Sequence, residues 1–133
     1  MERLKSEALQ PVFERLRSIL KKNAAHLTIS EDSEKHYSLD GTPGPATLAA
    51  WGGKLKRETI PVAWVDIGKT YVSYHLMACS SPAFRETLSA RLEAHMQGKT
   101  CFNFRKNDEE LFTELEEVTA RGVNQFRALG FIV

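Results

Sequence analysis

The segment from Met96 to Arg105 constrains the fold more than any other part of this sequence, because it lies between two amphipathic helical stretches. Gly98 follows the first stretch, and glycine is the residue that most often ends a helix in the left-handed conformation. The alternation in Cys101-Phe102-Asn103-Phe104 predicts a short strand after that turn. Helix, glycine turn, strand and helix in this order indicate a domain that contains both helices and a sheet.

The two helices on either side of this segment have recognisable start signals. Ser81-Pro82 opens the first, with serine as the N-cap and proline at the first helical position. Asn107 followed by Glu110 resembles a capping box and opens the second, which is predicted to end at Gly130. Each helix carries an apolar stripe at helical spacing, formed by Phe84, Leu88, Leu92 and Met96 in the first and by Leu111, Phe112, Leu115, Val118, Gly122, Phe126 and Leu129 in the second.

The N-terminal third predicts a helix followed by a hairpin. A proline inside a helix costs about 3 kcal/mol but almost nothing at the first helical position, so we expect the main helix to run from Pro11 to Lys22. Met1 to Leu9 is then a separate or kinked leading turn. Two short alternating stretches, residues 26–30 and 36–39, are separated by the polar turn Glu31-Asp32-Ser33-Glu34 and predict a β-hairpin.

The clearest strand pair is Ile60 to Ile67 with Thr70 to Met77, joined by Gly68-Lys69. Glycine at the first central position favours a type II′ turn, which predicts that Ile67 pairs with Thr70 and Val65 with Val72. One face of this pair is then almost wholly apolar. The other, the mixed face, consists of Ile60, Val62, Trp64, Asp66, Tyr71, Ser73, His75 and Met77.

These elements predict an α+β fold, in which an antiparallel sheet of four to six strands has the helices packed on one face. The length of 133 residues suits a single domain, residues 1–10 being a leading segment. Between Pro43 and Glu58 the glycines and prolines break the pattern, and Ala46 to Trp51 is compatible with either a strand or one helical turn.

Composition excludes several classes of function. The net charge of +1 gives no electrostatic case for a nucleic-acid partner or an anionic membrane. No apolar run reaches the roughly 18 residues needed to span a bilayer, and the charged start lacks the apolar core of a signal peptide. Two cysteines are too few for a disulfide scaffold, so we expect reduced thiols and a cytoplasmic protein.

No catalytic signature stands out. Gly68-Lys69-Thr70 and Gly98-Lys99-Thr100 each imitate the end of a phosphate-binding loop, but the earlier glycine that the motif requires is missing from both. Cys101 as a nucleophile with His75 as its base is one candidate arrangement, although no residue is recognisably placed to orient the histidine. The spacing of the remaining soft ligands, with Cys79 and His95, matches no zinc template.

The mixed face is the strongest candidate for a binding surface. Trp64, Tyr71 and His75, with Ser73 between them, combine aromatic rings with polar tips, and binding surfaces and pockets favour such residues. The alternative is that the segment from Pro43 to Glu58 folds over this face and buries Trp51 against Trp64.

Three stretches of the chain resemble the YdhG-like uncharacterised domain family of small bacterial proteins: Lys69 to Met77, Met96 to Arg105, and the closing Leu129-Gly130-Phe131-Ile132. The resemblance implies a fold similar to frataxin, an antiparallel sheet with helices on one face, and some relatives have been proposed to handle iron. Frataxin-type iron binding uses an acidic ridge along the first helix. Here that helix is net basic, and the nearby acids are Glu31, Asp32 and Glu34.

Three functions follow from these observations. The leading hypothesis is a non-enzymatic cytoplasmic module, a monomer or homodimer, that binds a small molecule or a protein through Trp64, Tyr71, Ser73 and His75. The second is a frataxin-like protein that handles iron through the acids at 31, 32 and 34; no other cofactor is expected. The third is a small enzyme that uses Cys101 or His75.

Overall fold

The computed structural model describes the backbone of residues 2–24, 27–42 and 60–128, and the side chains of these ranges from Leu9 onward. The described elements confirm the α+β class. In chain order they are α1 (Glu2–Lys22), β1 (Thr28–Asp32), β2 (His36–Gly41), β3 (Ile60–Ile67), β4 (Val72–Leu76), a 3₁₀ turn (Met77–Ser80), α2 (Pro82–Arg85), α3 (Ala90–Glu93), β5 (Met96–Gln97), β6 (Cys101–Phe104) and α4 (Glu109–Ala128). No helix in these ranges has both the length and the apolar character needed to cross a membrane.

The six strands form one sheet in the order β1-β2-β3-β4-β6-β5, and every neighbouring pair is antiparallel. Alternate side chains therefore lie on opposite faces. The core face packs with α1 and α4 into a single apolar cluster and consists of Tyr37, Leu39, Ala63, Val65, Val72, Tyr74, Leu76, Phe102 and Phe104. The second face consists of His36, Ser38, Trp64, Asp66, Ser73, His75, Cys101 and Asn103.

Helix α1 is longer than predicted, because it begins at Glu2 and continues through Pro11. The proline is exposed, and the residues around it, Leu9, Val12 and Phe13, are each at most 3% exposed in the core. Burying several large apolar side chains contributes about 1.5–3 kcal/mol each, enough to offset the cost of one proline inside the helix. Packing therefore outweighs the local preference of proline and allows the helix to continue through Pro11.

The hairpin of β1 and β2 is confirmed, with β1 extending two residues further, to Asp32, than predicted. The turn itself is only Ser33 to Lys35, and the Ser33 hydroxyl accepts a hydrogen bond from the His36 backbone N–H at 3.1 Å. The expectations for Pro43 to Glu58, for the packing of Trp51 and for a helix end at Gly130 lie outside the described residues.

The pairing of β3 with β4 differs from the predicted register by two residues. Ile67 pairs with Val72 rather than with Thr70, and Val65 pairs with Tyr74. The predicted type II′ turn is wrong because the connection is a four-residue loop, in which the Gly68 N–H donates to the Tyr71 carbonyl oxygen at 2.9 Å. Since a shift of two residues preserves the alternation, the predicted faces are confirmed from Ala63 to Ile67 and from Val72 to Leu76. Val62, predicted on the mixed face, is instead fully buried in the core cluster, next to the register shift between Leu39 and Asp40 on β2.

The helix predicted between Ser81 and Gly98 is interrupted. Ser81 caps α2 as expected, but Ser89 caps a second short helix by accepting a hydrogen bond from the Leu92 N–H at 3.1 Å. Met96 then belongs to strand β5. Gly98, with a φ of 82°, forms the turn between β5 and β6 instead of ending a helix.

Helix α4 confirms the predicted apolar stripe over the described residues, but its cap lies one residue later. The Asp108 carboxylate, not the Asn107 side chain, accepts a hydrogen bond from the Leu111 N–H at 3.2 Å. The helix lies against the sheet through Phe112, whose ring meets that of Phe104 edge-on with centroids 5.1 Å apart.

Candidate functional site

The second face of the sheet is polar and aromatic, and the strand register places its residues in two rows. One row runs His36, Asp66, Ser73 and Asn103 across β2, β3, β4 and β6. The other runs Ser38, Trp64, His75 and Cys101 across the same strands. Directly opposed side chains in an antiparallel pair have Cβ atoms about 4.5–5.5 Å apart, so each row is a continuous line of contacts.

Trp64 and His75 meet at the centre of this face. Their rings stack with centroids 4.5 Å apart and an interplanar angle of 12°, and both side chains are half-buried. Burial lowers the pKa of His75, against an opposing contribution from Asp66, so the imidazole is neutral at pH 7. The pairing of these two predicted site residues therefore produces a rigid, uncharged aromatic surface.

His36 and Asp66 form a second pair beside this stack. The Nδ1 atom of His36 hydrogen-bonds to the Asp66 carboxylate, which fixes the imidazole ring and leaves Nε2 for another partner. Sequence reasoning missed this pair. Alternation within β2 puts His36 and Ser38 on one face and could have suggested their position. Their partners on β3 could not be predicted, because residues 42–59 separate the two strands and no short turn fixes the register.

A cleft of about 330 Å³ opens between Trp64 and the first hairpin. Its lining consists of Ser30, His36, Ser38, Asp40, Pro61 and Trp64. The Ser30 hydroxyl hydrogen-bonds to that of Ser38 and donates to the Asp40 carboxylate at 3.1 Å. Asp40 is only 2% exposed and Ser38 only 7%, so the wall that faces Trp64 is a hydrogen-bonded polar cluster.

Cys101 lies directly across from His75, so the structure brings together the two residues of the predicted nucleophile and base. Burial raises the pKa of the Cys101 thiol, which keeps it protonated at neutral pH. The thiol donates to the Asn103 side-chain oxygen at 3.4 Å, and the Ser73 hydroxyl donates to the same oxygen at 3.1 Å. Proximity without thiolate formation does not support nucleophilic catalysis.

Tyr71 does not join the other predicted site residues. It lies in the loop between β3 and β4, and its side chain lines a different cleft of about 630 Å³ beside β5 and β6, here called the sheet-edge cleft. Its predicted position on a strand depended on the type II′ turn. Trp64, Ser73 and His75 share the second face, whereas Tyr71 belongs to a separate concavity.

The acidic residues proposed for iron do not converge. The Asp32 carboxylate accepts hydrogen bonds from the Arg17 guanidinium and is thereby already paired with a cation. Hard cations require several oxygen ligands around one point. Over the part of the chain that the structure describes, no three His, Cys, Asp or Glu side chains are placed to hold a metal ion.

Comparisons with protein-family models, with curated proteins and with solved structures found no match to this chain. Membership of the YdhG-like family therefore stays a prediction from the sequence motifs.

Proposed function

We propose that the protein is a cytoplasmic, non-enzymatic binding module that captures a small molecule with a flat ring on the second face of its sheet. The observation that carries the proposal is the position of Trp64. It forms one wall of the cleft and is braced from the side by the stacked ring of His75.

A braced indole is a favourable surface for a flat ligand, because little conformational freedom is lost when the ligand binds. Stacking between aromatic rings contributes about 0.5–1.5 kcal/mol beyond the burial of area. Ser30, Ser38 and His36 supply hydrogen-bonding groups around the ring. One apolar surface with a few convergent polar groups is the usual composition of a small-molecule site.

The charge of the cleft narrows the ligand class. Asp40 lines the cleft, and Asp66 adjoins it through His36. The Asp66 carboxylate beside the cleft disfavours an anionic ligand and favours a neutral or cationic one. The volume of about 330 Å³ is near the lower limit for ligand pockets and suits a small molecule better than a protein segment.

The test is native mass spectrometry of the untagged protein purified from its own cells, in parallel with two variants. Trp64→Ala removes the aromatic wall, and Ile29→Ala truncates an exposed apolar side chain on the sheet edge, outside the cleft. We expect an added small-molecule mass in the wild type and in Ile29→Ala, and its loss in Trp64→Ala with an unchanged circular dichroism spectrum. A bare mass for the wild type would contradict small-molecule capture and favour a protein partner.

A further inference from the structure

The sheet-edge cleft is the larger of the two concavities described above and lies outside the proposed site. Its volume of about 630 Å³ is within the range of ligand pockets, and Tyr71, Met96 and Phe104 contribute apolar surface to it. The Tyr71 loop is held by the bond from the Gly68 N–H to the Tyr71 carbonyl oxygen, so the ring is presented from an anchored backbone.

The cleft has an excess of positive charge. Arg105 and Lys106 both line it and are exposed, and neither has an ion-pair or hydrogen-bond partner for its side chain among the described residues. Two adjacent cations at one concavity attract an anion.

The acids at the start of α4 offset these cations only in part, because Asp108 and Glu110 share the single charge of Arg91 and Glu109 has Arg15, so one negative charge remains against two positive ones. Asp108, which also lines the cleft, accepts from Arg91 at 3.1 Å in addition to capping the helix. Glu110 accepts from the same guanidinium at 2.9 Å, and Glu109 accepts from Arg15 at 3.0 Å.

His95 adds a fixed polar group to the wall. Its Nδ1–H donates to the Asn103 backbone oxygen at 2.9 Å, and its ring stacks on Phe104 with centroids 4.9 Å apart. Because the acceptor is a carbonyl, Nδ1 carries a proton, and this bond together with the stack on Phe104 fixes the orientation of the imidazole in the wall of the cleft.

From these observations we propose that the sheet-edge cleft is a second binding site, specific for a small aromatic anion. The ring packs against Tyr71, and the anionic group is held by Arg105 and Lys106. The two concavities then differ in charge preference, since acids adjoin the cleft beside Trp64 and unpaired bases line this one.

The test is a titration followed by ¹H–¹⁵N correlation spectra at low ionic strength, with phenyl phosphate as the probe and inorganic phosphate as its ring-free comparator. The variant Arg105→Gln/Lys106→Gln removes both cations. Its matched control, Lys21→Gln/Lys35→Gln, removes two exposed cations elsewhere and changes the net charge equally. Tyr71→Ala tests the ring contact, and Trp64→Ala tests whether the two sites are independent.

We expect phenyl phosphate to shift the amides around Tyr71, Gln97 and Arg105, and to bind at least about tenfold more weakly to the Arg105/Lys106 variant, because charge-assisted contacts to an anion are the strong ones. The matched control and Trp64→Ala should stay within about twofold of the wild type, and Tyr71→Ala should bind phenyl phosphate no better than inorganic phosphate. Equal weakening in both charge variants would overturn the proposal, since bulk charge would then explain binding. Equal affinity of the wild type for the two probes would overturn it as well, because the ring would contribute nothing.

Discussion

One buried hydrogen bond joins the sheet to a helix, and the effect of removing it on the free energy of unfolding can be predicted in detail. The hydroxyl groups of Tyr74 on β4 and Thr119 on α4 are 2.6 Å apart, and both residues are fully buried. Burial raises the pKa of Tyr74 far above its ordinary value, against the opposing effect of the bond to Thr119, so the phenol stays neutral and either hydroxyl can donate. The free energy of unfolding should therefore depend on the two groups jointly.

The two single changes are expected to differ in cost. Tyr74→Phe leaves the Thr119 hydroxyl able to rotate toward the carbonyl of Leu115 in the preceding turn of the helix, so the loss is that of one net hydrogen bond, about 1 kcal/mol. Thr119→Val keeps the shape of the side chain but leaves the phenol hydroxyl buried without its partner, which costs about 2 kcal/mol.

The double variant distinguishes this explanation from simple additivity. With both hydroxyls removed no buried group lacks a partner, so we expect it to be about 1 kcal/mol less stable than the wild type instead of the roughly 3 kcal/mol given by the sum. Tyr74→Phe should thus destabilise the wild type but stabilise Thr119→Val. Urea unfolding followed by circular dichroism measures the free energies of unfolding of the wild type and the three variants, which are comparable when all four proteins have the same m-value.

A matched control is Tyr37→Phe. The Tyr37 ring is buried on the same face of the sheet, but its hydroxyl has no hydrogen-bond partner among the described residues. Its removal should change the free energy of unfolding by less than about 0.5 kcal/mol. Additive effects of Tyr74→Phe and Thr119→Val, or a loss in the control as large as that in Tyr74→Phe, would refute the reasoning.

Two further predictions follow from burial on the second face and beneath it. Because burial lowers the folded-state pKa of His75 below 6.5, the unfolded chain binds more protons, so the stabilising contribution is present above pH 6.5 and is lost as the pH falls through the folded pKa. Urea unfolding between pH 7.5 and 5 should therefore show a free energy of unfolding that falls with falling pH by less than the uptake of one proton would give, and His75→Gln should abolish this dependence. An unchanged pH dependence in that variant would assign the effect to another group. Burial raises the pKa of Cys101, and it raises that of Cys79 to about 11. Iodoacetamide at pH 7.5 should therefore alkylate both thiols more slowly than free cysteine, and the rate should increase with pH. Rapid labelling of Cys101, measured by intact mass, would instead favour the enzyme hypothesis.

The sequence predicted the sheet faces better than the turns. Alternation assigned the apolar and mixed faces correctly from Ala63 to Ile67 and from Val72 to Leu76, because the side-chain period of a strand survives a shift of two residues, but it misplaced Val62, which is buried in the core. The turn could not be predicted from Gly68-Lys69, because the four-residue loop depends on the backbone bond between Gly68 and Tyr71. Tyr71 was therefore misplaced, while Trp64 and His75 were correctly assigned to one face.

The interruption after Ser81 shows the same limit on local reasoning. Phe84, Leu88 and Leu92 have the spacing of one helix and are all buried, yet Phe84 lies in α2, Leu92 lies in α3 and Leu88 lies in the connection between them. The break depends on a long-range contact, since the carboxylate of Glu114 on α4 accepts hydrogen bonds from both the backbone N–H and the hydroxyl of Ser89. Helical spacing reports which side chains are buried, but not whether the backbone between them is continuous.

The energetic difference between the two faces of the sheet bears on function. On the core face, burial of apolar side chains is itself the stabilising term. On the second face, Ser38 and Asp40 are almost fully buried, although transferring a hydroxyl or a carboxylate from water is unfavourable unless its hydrogen bonds are replaced. The Ser30 hydroxyl supplies one of the replacing hydrogen bonds, and a cleft lies beside the cluster, whereas a face selected for stability alone would fill that space with apolar side chains. Polar groups kept at a cost around an unfilled cavity are typical of sites that bind a ligand, and this is the physical reason to test Trp64 before any other residue.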